Sequence, residues 1–324
     1  MIDLKKSTAI ALAATIPAAL SYAAAVQVFK FGFNRYEGNM FWKEGTVKNP
    51  YSRRMNAGMR WTRMQNLKKV MIHSKDRLRL YARILECEAP KGVILLMHGY
   101  HSSAIHDFSC AIEYYHNMGY ILVMPDQRAH GDSDGKYITF GIKEKYDCRL
   151  WTEYIVKKYE GLPILLDGIS MGASTVMLAS GIGLPDAVCG IIADCGYSHP
   201  LDICSHVLKN RMGIPPAIVL PIAKRIAMHR AGVDFEDGDV TRALVRNTKP
   251  LLIVHGEADT FVPSYMTDKN ALFAKNCDLT VLKIPGADHG MSFLTDEVTV
   301  KNTLEHFLDK CIKDYEKRLG STNA

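Results

Sequence analysis

Short aliphatic runs alternate with segments of helical periodicity along most of the chain. The runs are rich in Val, Ile and Leu, and they comprise Leu78–Leu85, Val93–Met97, Ile121–Met124, Ile164–Leu166, Val188–Ala193, Leu251–Val254 and Thr280–Ile284. Helical periodicity is clearest at Glu144–Tyr159, Ser174–Ser180, Tyr265–Lys275 and Glu297–Lys317. Strands that alternate with such helices form a mostly parallel sheet with helices on both faces. The pattern predicts a doubly wound α/β domain over residues 70–324.

One stretch of the domain interrupts this alternation. Residues 196–248 contain two or three helical patterns and no convincing strand, and the stretch includes Pro215, Pro216 and Pro221. An insertion between two strands at the carboxyl edge of a parallel sheet lies over the crevice in which ligands bind. We therefore expect a small helical cap over residues 196–248.

The N-terminus carries an uncharged apolar run from Ser7 to Phe29, which follows Lys5 and Lys6. A helix of this length is long enough to span a bilayer. A cleaved signal peptide is one alternative, because the alanines at residues 23–25 suit a cleavage site, and a buried core helix is another. We expect a membrane anchor over residues 1–30, since the uncharged run continues beyond these alanines.

The net charge of +6 is unevenly distributed. Ten basic residues lie between Lys30 and Lys69 against two acidic ones, Glu37 and Glu44, which gives a local charge of +8. Everything from Val70 onward sums to −3. Residues 31–69 are therefore predicted to be a basic linker suited to a lipid headgroup surface, and the acidic domain argues against a nucleic-acid partner.

The side of the membrane on which the domain lies is open. More Lys and Arg after the span than before it favour the cytoplasm, whereas Lys5 and Lys6 favour the opposite orientation. Secretion after signal cleavage is the alternative. All eight cysteines lie in the domain and lack the spacing of zinc ligands, so we expect reduced thiols and no bound metal.

A G-x-S-x-G motif occupies Gly168–Gly172, between the aliphatic run Ile164–Leu166 and a helix of small residues. In such a motif the serine sits on a strained strand-to-helix turn, which needs small residues on both sides. The motif predicts that Ser170 is a catalytic nucleophile.

A serine hydroxyl is a weak nucleophile at neutral pH, so it needs a base. His289 lies in a glycine-rich turn after the last predicted strand, where the alternative is an ordinary exposed histidine. Asp259 follows the strand Leu251–Val254 and would hold the imidazole in the correct tautomer. Asp194 ends another strand and is the alternative acid. We predict Ser170, Asp259 and His289 as a triad.

Acyl transfer also needs donors for the developing oxyanion. The backbone N–H of Met171, directly after the nucleophile, is one candidate. The strand Val93–Met97 runs into His98 and Gly99, and the backbone N–H of Tyr100 is the second candidate. We expect a structural role for His98.

These motifs resemble those of the α/β-hydrolase superfamily, and the resemblance runs from about Val70 to near the C-terminus. It is carried by His98–Tyr100, Gly168–Gly172, the loops of Asp259 and His289, and Asp126–Ser133, which is similar to the superfamily's D-x-R-x-H-G-x-S loop. The resemblance implies that the charged residues of this last loop brace the oxyanion strand. The elbow, Ile192–Tyr197 and the N-terminal span also resemble bacterial membrane-associated hydrolases of largely unassigned substrate.

The sequence therefore predicts a serine hydrolase that cleaves a small-molecule carboxylic ester or thioester through an acyl-enzyme, without metal or cofactor. One alternative is a serine exopeptidase of the prolyl-oligopeptidase type, although those enzymes usually carry a large upstream propeller and only about 70 residues precede this domain. The other is a non-catalytic receptor or scaffold, which would be expected to lose a member of the triad.

Overall fold

A computed structural model of the chain describes residues 20–35 and 50–322. Its centre is an eight-stranded sheet in the order β1-β2-β4-β3-β5-β6-β7-β8. The strands are β1 Lys68–His73, β2 Arg79–Leu85, β3 Gly92–Met97, β4 Tyr120–Pro125, β5 Ile164–Ile169, β6 Val188–Asp194, β7 Leu251–Gly256 and β8 Leu279–Ile284. β2 runs antiparallel to both of its neighbours, and the other pairs are parallel. The predicted doubly wound, mostly parallel sheet is confirmed.

The central strands are recognisable in the sequence because they are buried on both faces. Every residue of β3, β4 and β7 is buried, and such strands read as continuous hydrophobic runs. The edge strand β1 differs, since it alternates between exposed and half-buried positions and begins with Lys68 and Lys69. Lysine is common on exposed edge strands, where it discourages pairing with another chain. β1 was therefore not predicted.

Helices cover both faces of the sheet. In chain order they are α1 at residues 20–33, α2 Ser52–Met64, α3 Ala104–Asp107, α4 Ile112–Asn117, α5 Glu144–Lys158, α6 Met171–Ser180, α7 Pro200–Asn210, α8 Pro216–Ala231, α9 Val240–Leu244, α10 Tyr265–Phe273, α11 Ser292–Thr295 and α12 Glu297–Thr322. α5, α6 and α9 pack against one face of the sheet through residues such as Trp151, Val176 and Leu244. α4 and α12 cover the other through Tyr115 and Leu308.

The predicted cap contains α7, α8, a short 3-10 turn at Phe235–Gly238 and α9. Val219 and Ala223 of α8 are buried in a third hydrophobic cluster together with Met171, the residue after the predicted nucleophile. α7 and α8 therefore lie above the carboxyl end of the sheet, where the sequence placed them. α9 packs instead against α6, so it belongs to the layer that covers the sheet.

The segment between residues 31 and 69 is not simply a basic linker. α2 lies within it and buries Met55, Met59 and Thr62, whereas its arginines point outward. A Cβ atom on Gly58 would come within 1.8 Å of the Ser109 carbonyl oxygen, which shows how closely α2 packs against the loop before α4. The basic residues on the outer face concealed this helix in the sequence.

α1 packs on the folded domain. Ala25, Phe29 and Phe33 are four residues apart, so they lie on one face of the helix, and all three are buried in the third hydrophobic cluster. No helix within residues 20–35 and 50–322 is long and apolar enough to cross a membrane. The first part of the predicted span, residues 7–19, lies outside the described residues.

Candidate active site

Ser170 lies on a sharp turn between β5, which ends at Ile169, and α6, which begins at Met171. Its backbone has φ 56° and ψ −116°, a conformation that costs energy in any residue other than glycine. A Cβ atom on Gly172 would lie 1.8 Å from the Met97 carbonyl oxygen, and one on Gly168 would lie 2.3 Å from the Gly172 carbonyl oxygen. The glycines of the motif are thus required by the close approach of β3, β5 and α6.

The structure brings Ser170, His289 and Asp259 together in a hydrogen-bonded chain. His289 Nε2 lies 2.9 Å from Ser170 Oγ, and His289 Nδ1 lies 2.7 Å from Asp259 Oδ2. The three residues come from loops that follow β5, β8 and β7, so the parallel sheet gathers them at one edge. This arrangement suits transfer of the serine proton to the imidazole.

Asp259 is held by its own loop as well as by His289. The backbone N–H groups of Phe261 and Val262 both donate to Asp259 Oδ1 at 2.8 Å. His255 Nε2 lies 3.2 Å from Asp259 Oδ2. Burial would raise the pKa of this carboxyl, but the hydrogen bonds from His255, His289 and the backbone hold its pKa well below the ordinary value. Asp259 therefore stays ionised.

His289 has a pKa above its ordinary value of 6.5. Burial disfavours the imidazolium and by itself lowers the pKa. The hydrogen bond to Asp259 and the charges of Asp259, Asp194 and Asp107 together raise the pKa by more than burial lowers it. The site therefore stabilises a protonated His289, which is the species formed when the imidazole takes a proton from Ser170.

The loop that carries Tyr100 comes close to Ser170 at Gly99. A Cβ atom on Gly99 would lie 3.3 Å from the Ser170 Cβ and 3.2 Å from Asp107 Oδ2. On the other side of Ser170, Met171 is the first residue of α6, where backbone N–H groups have no partner within the helix. The two predicted oxyanion donors thus belong to segments that border the nucleophile.

Three side chains fix the backbone of the Tyr100 loop. The Gly99 N–H donates to Asp107 Oδ2 at 2.6 Å, and the His101 N–H donates to His130 Nε2 at 3.0 Å. His98 Nε2 accepts from the Gln127 N–H at 3.0 Å, so its proton is on Nδ1, which lies 2.7 Å from the Gly99 carbonyl oxygen. His98 uses both ring nitrogens on the backbone, in keeping with a structural role.

The charged loop at Asp126–Ser133 is tied to its surroundings by ion pairs. The buried Arg128 pairs with Asp147 at 2.6 Å and with Asp76 at 2.9 Å, while Arg83 bonds Asp126 at 3.0 Å. Burial lowers the pKa of His130 well below its ordinary value, so the ring is neutral and can accept the His101 N–H. The loop supports the Tyr100 loop, as the resemblance implies.

Asp194, the alternative acid, makes a different hydrogen bond. Its Oδ1 accepts from Ser292 Oγ at 3.2 Å, whereas Asp259 bonds His289 directly. Burial raises the pKa of Asp194 to about 6. Asp194 acts on His289 through its charge, and Asp259 occupies the position expected of the triad acid.

Two supporting residues, His255 and Asp107, were missed by the sequence analysis. His255 lies in β7, four residues before Asp259, and its Nδ1 lies 2.6 Å from Thr267 Oγ1 of α10. Asp107 ends α3 and bonds Gly99, eight residues earlier. A polar residue at the end of a buried strand was the available signal for His255, whereas nothing in the sequence marked Asp107.

One cluster in the part of the chain that the structure describes has the composition of a metal site. Ligand atoms of Cys195, Asp259 and His289 lie within 4.8 Å of one another. Burial, together with the charges of Asp194 and Asp259, raises the pKa of the Cys195 thiol well above its ordinary value. A protonated thiol is a poor metal ligand, and Asp259 and His289 are already bonded to each other, so the geometry fits a proton-transfer site better than a metal site.

Comparisons with known proteins agree with this fold. The family model described as serine aminopeptidase, S33, matches residues 88–198. The Pyrococcus furiosus esterase Pf2001 has a TM-score of 0.62 at 23% identity, with 76% of this chain and 91% of that chain covered. Est1E from Butyrivibrio proteoclasticus, whose structure contains ferulic acid, has a TM-score of 0.56 at 20% identity, with 75% and 99% covered. Likenesses at these identities establish the fold.

A relative is also found among curated sequences. YqkD, an uncharacterized protein of Bacillus subtilis (strain 168), is 28% identical over 222 residues, which are 67% of this chain and 70% of that protein. The sheet, the nucleophile turn and these likenesses together show that the chain has the α/β-hydrolase fold. The matching family model and the esterase neighbours support a hydrolase of this fold.

Proposed function

We propose that the chain is a serine hydrolase that cleaves carboxylic esters or thioesters, with Ser170, His289 and Asp259 as its catalytic triad. The observation that carries the proposal is the continuous chain of two hydrogen bonds, 2.9 Å and 2.7 Å long, from Ser170 through His289 to Asp259. The strained backbone of Ser170 presents its hydroxyl at the edge of the sheet and adds support.

In this mechanism Ser170 Oγ bonds to the substrate carbonyl carbon while His289 Nε2 takes the hydroxyl proton. The backbone N–H groups of Tyr100 and Met171 donate to the resulting oxyanion. The tetrahedral intermediate then expels the alcohol or thiol, which receives the proton from His289, and leaves an acyl group on Ser170. A water molecule, deprotonated by His289, attacks this ester, and the acid is released as His289 returns the proton to Ser170 Oγ.

A serine aminopeptidase is the second candidate, because the matching family model carries that description. Such an enzyme must bind the α-ammonium group of its substrate, for which a carboxylate is the favourable partner. The cap helices α7 and α8 are basic instead. Residues 200–231 contain five Lys or Arg and one acid, Asp202. The charge of the cap therefore favours a neutral or anionic substrate.

Two cap side chains contact the loop that carries Asp259, and they are also basic or polar. His206 Nε2 lies 3.1 Å from the Thr260 carbonyl oxygen, and Arg211 donates to Thr260 Oγ1 at 3.1 Å. Arg211 also lies 5.8 Å from the Phe261 ring, which is 5.0 Å from the His289 ring. A guanidinium at this distance would repel a free substrate amine.

We also propose that the protein is attached to a membrane through its N-terminal segment and takes a small acyl ester as substrate. The described end of the uncharged run, residues 20–29, packs on the domain, so the support is the uncharged stretch at residues 7–19 together with the +8 stretch from Lys30 to Lys69. An apolar segment and a basic segment together give stronger attachment than either alone.

A substrate panel tests the ester assignment. Full-length protein is assayed with p-nitrophenyl esters of increasing acyl length, with an acyl thioester and with aminoacyl p-nitroanilides, each against the Ser170→Ala variant. We expect Ser170-dependent turnover of the esters and at least a hundredfold lower kcat/KM, on the order of 3 kcal/mol, for the aminoacyl amides. Faster turnover of the amides would assign the aminopeptidase instead, and no Ser170-dependent turnover of either class would favour a non-catalytic protein.

A further inference from the structure

The phenol of Tyr100 contacts the end of α1. Its hydroxyl lies 3.0 Å from the Phe31 carbonyl oxygen and 3.1 Å from that of Gly32, and it donates to both. The last carbonyl groups of a helix have no partner within the helix, so the phenol caps the C-terminus of α1. The residue whose backbone N–H is the proposed oxyanion donor is thereby joined to a helix about 70 residues earlier in the chain.

A column of aromatic rings follows the same path from α1 to Tyr100. The rings of Phe29 and Phe33 stack with centroids 4.9 Å apart, and Phe33 meets Phe140 edge-on at 5.1 Å. Phe140 then stacks on Tyr100 at 5.6 Å with the two planes 14° apart. Phe29 and Phe33 are almost fully buried, so these contacts are part of a packed interior. Movement of α1 would therefore displace the Tyr100 ring.

The residues after α1 hold the loop that supports Tyr100 from the other side. The Arg35 guanidinium donates to the carbonyl oxygens of Ser133, at 2.7 Å, and Gly131. These residues belong to the same loop as His130, whose ring accepts the His101 N–H. The segment from α1 to Arg35 thus contacts the Tyr100 loop directly, and it also contacts the Asp126–Ser133 loop that supports the Tyr100 loop.

The backbone of Tyr100 lies between two residues that are already fixed. The Gly99 N–H bonds Asp107, and His101 has φ 51° with its N–H bonded to His130. The peptide group between Gly99 and Tyr100 can still change its orientation relative to Ser170. The hydrogen bonds from the Tyr100 hydroxyl to Phe31 and Gly32 limit that change. A phenol anchored at its hydroxyl end therefore helps to set the direction of the Tyr100 N–H.

We propose that the C-terminal turn of α1 positions the oxyanion donor through the Tyr100 hydroxyl, so that residues 29–35 are part of the catalytic unit and not only a connection to the N-terminus. This inference rests on the proposed function, because it concerns the donor of that site. Tyr100 then has two roles: its N–H contacts the reacting oxygen, and its side chain is a positioning group for that N–H.

The expected size of the effect follows from the sensitivity of such donors to geometry. Removal of one oxyanion donor costs about 10²- to 10³-fold in kcat. Loss of the Tyr100 hydroxyl would misdirect the N–H without removing it, so we expect a loss of about tenfold in kcat. KM should change little, because an oxyanion donor acts on the transition state more than on the bound ester.

The test is Tyr100→Phe in the full-length chain, which keeps the ring and the backbone N–H and removes only the hydroxyl. kcat and KM are measured with a p-nitrophenyl ester, and affinity is measured for a trifluoromethyl ketone, whose adduct with the serine carries an oxyanion. We expect kcat to fall about tenfold, KM to stay within about twofold, and the ketone to bind about tenfold more weakly. A merely structural role would lower thermal stability without this split.

Tyr114→Phe is the matched control. The Tyr114 hydroxyl also joins two distant parts of the chain, since it donates to Glu305 of α12 at 2.8 Å, but it lies on the sheet face that α4 and α12 cover, whereas Tyr100 packs with α1 and α8. Its removal should leave kcat and ketone affinity unchanged. An equal loss of kcat in both variants would overturn the inference, because the effect would then be general destabilisation.

A second variant, Phe33→Leu, tests the same inference by changing a residue of α1 and no residue of the Tyr100 loop. It interrupts the aromatic column and leaves every residue of the Tyr100 loop in place, so kcat and ketone affinity should fall about threefold. It also keeps the inference testable if Tyr100→Phe does not fold. If the folded variants keep both values within twofold of wild type, α1 does not position the donor. Wild type that turns over no ester would overturn the proposed function itself, a result visible before any variant is made.

Discussion

Asp259 and Asp194 are two carboxylates near one imidazole, and the hydrogen bonds distinguish them. Asp259 bonds His289 Nδ1 at 2.7 Å and is held by two backbone N–H groups, whereas Asp194 accepts from Ser292. A group that orients the imidazole must bond it, while a group that acts only by charge need not. The two residues should therefore respond differently to the same substitution.

The first prediction compares the replacement of each of these two carboxylates by asparagine. Asp259→Asn should lower kcat by up to about 10⁴-fold, because an amide can donate to Nδ1 and so hold the imidazole in the wrong tautomer. Asp194→Asn should lower kcat by less than about tenfold, since it changes only a nearby charge. Both are measured by ester turnover at the pH optimum. If Asp194→Asn proves the more damaging, the triad acid is Asp194.

The second prediction concerns pH. His289 must be neutral to accept the serine proton, so activity is lost as the pH falls through its pKa, which lies above the ordinary 6.5. The charge of Asp194 is one of the causes that raise this pKa. The acid limb of kcat/KM should therefore have its midpoint above 6.5 in wild type and move to lower pH in Asp194→Asn. A limb that stays in place or moves upward contradicts this account of His289.

How far the site could be predicted from sequence depends on whether each signal is local. Ser170 lies within a five-residue motif that a strained turn requires, and Asp259 and His289 follow recognisable strands. The contact of His255 with Asp259 and that of Asp107 with Gly99 depend on how loops fold back on themselves. Pairings of this kind leave no periodicity in the sequence.

At the scale of elements, buried strands and amphipathic helices were predicted because burial fixes their composition. The elements missed include two that carry many charges, β1 and α2. Burying three positions of α2 is enough to dock it, and its other positions are free to be basic. A buried core helix was the less favoured alternative for the N-terminal run, and residues 20–33 do bury Phe29 and Phe33 against the domain.

The third prediction concerns the close packing of Gly172, in α6, against the end of β3. Gly172→Ala would place a Cβ atom 1.8 Å from the Met97 carbonyl oxygen and 2.7 Å from that of His98, so backbone must move. We expect loss of at least about 3 kcal/mol of folding free energy, seen as a lower midpoint in thermal or denaturant unfolding. Gly320→Ala, where no atom lies within 4 Å, is the control and should unfold like wild type. Equal midpoints for the two variants would contradict the packing.

At the scale of the whole molecule, charge is segregated. The stretch from Lys30 to Lys69 carries +8, and the cap helices α7 and α8, at residues 200–231, carry a net charge of +4 within a domain whose total is −3. Two basic regions beside an apolar N-terminal run suit a protein that works at an anionic surface. α1 contains the end of the apolar run and packs against α8 of the cap, so it links the N-terminal segment to the cap.

The fourth prediction tests membrane attachment. Apolar residues buried in a bilayer resist a salt wash, whereas attraction of basic residues to anionic lipid is worth only about 1 kcal/mol per charge and is screened by salt. Full-length protein should stay in the membrane fraction through a high-salt wash and leave with detergent. Release by salt alone would limit the attachment to the basic stretch, and recovery of soluble protein that begins at Val26 would establish a cleaved signal peptide.

The central claim is that Ser170 is the nucleophile of an ester hydrolase, and active-site labelling tests it most directly. Full-length protein is treated with a fluorophosphonate, the adduct is mapped by peptide mass spectrometry, and residual ester turnover is followed in the same samples. We predict one phosphonyl group on Ser170, loss of turnover in proportion to labelling, and no adduct in Ser170→Ala, whose turnover should be lower by on the order of 10⁴-fold or more. Turnover near the wild-type rate in Ser170→Ala, or inactivation with the label on another residue, would contradict the claim.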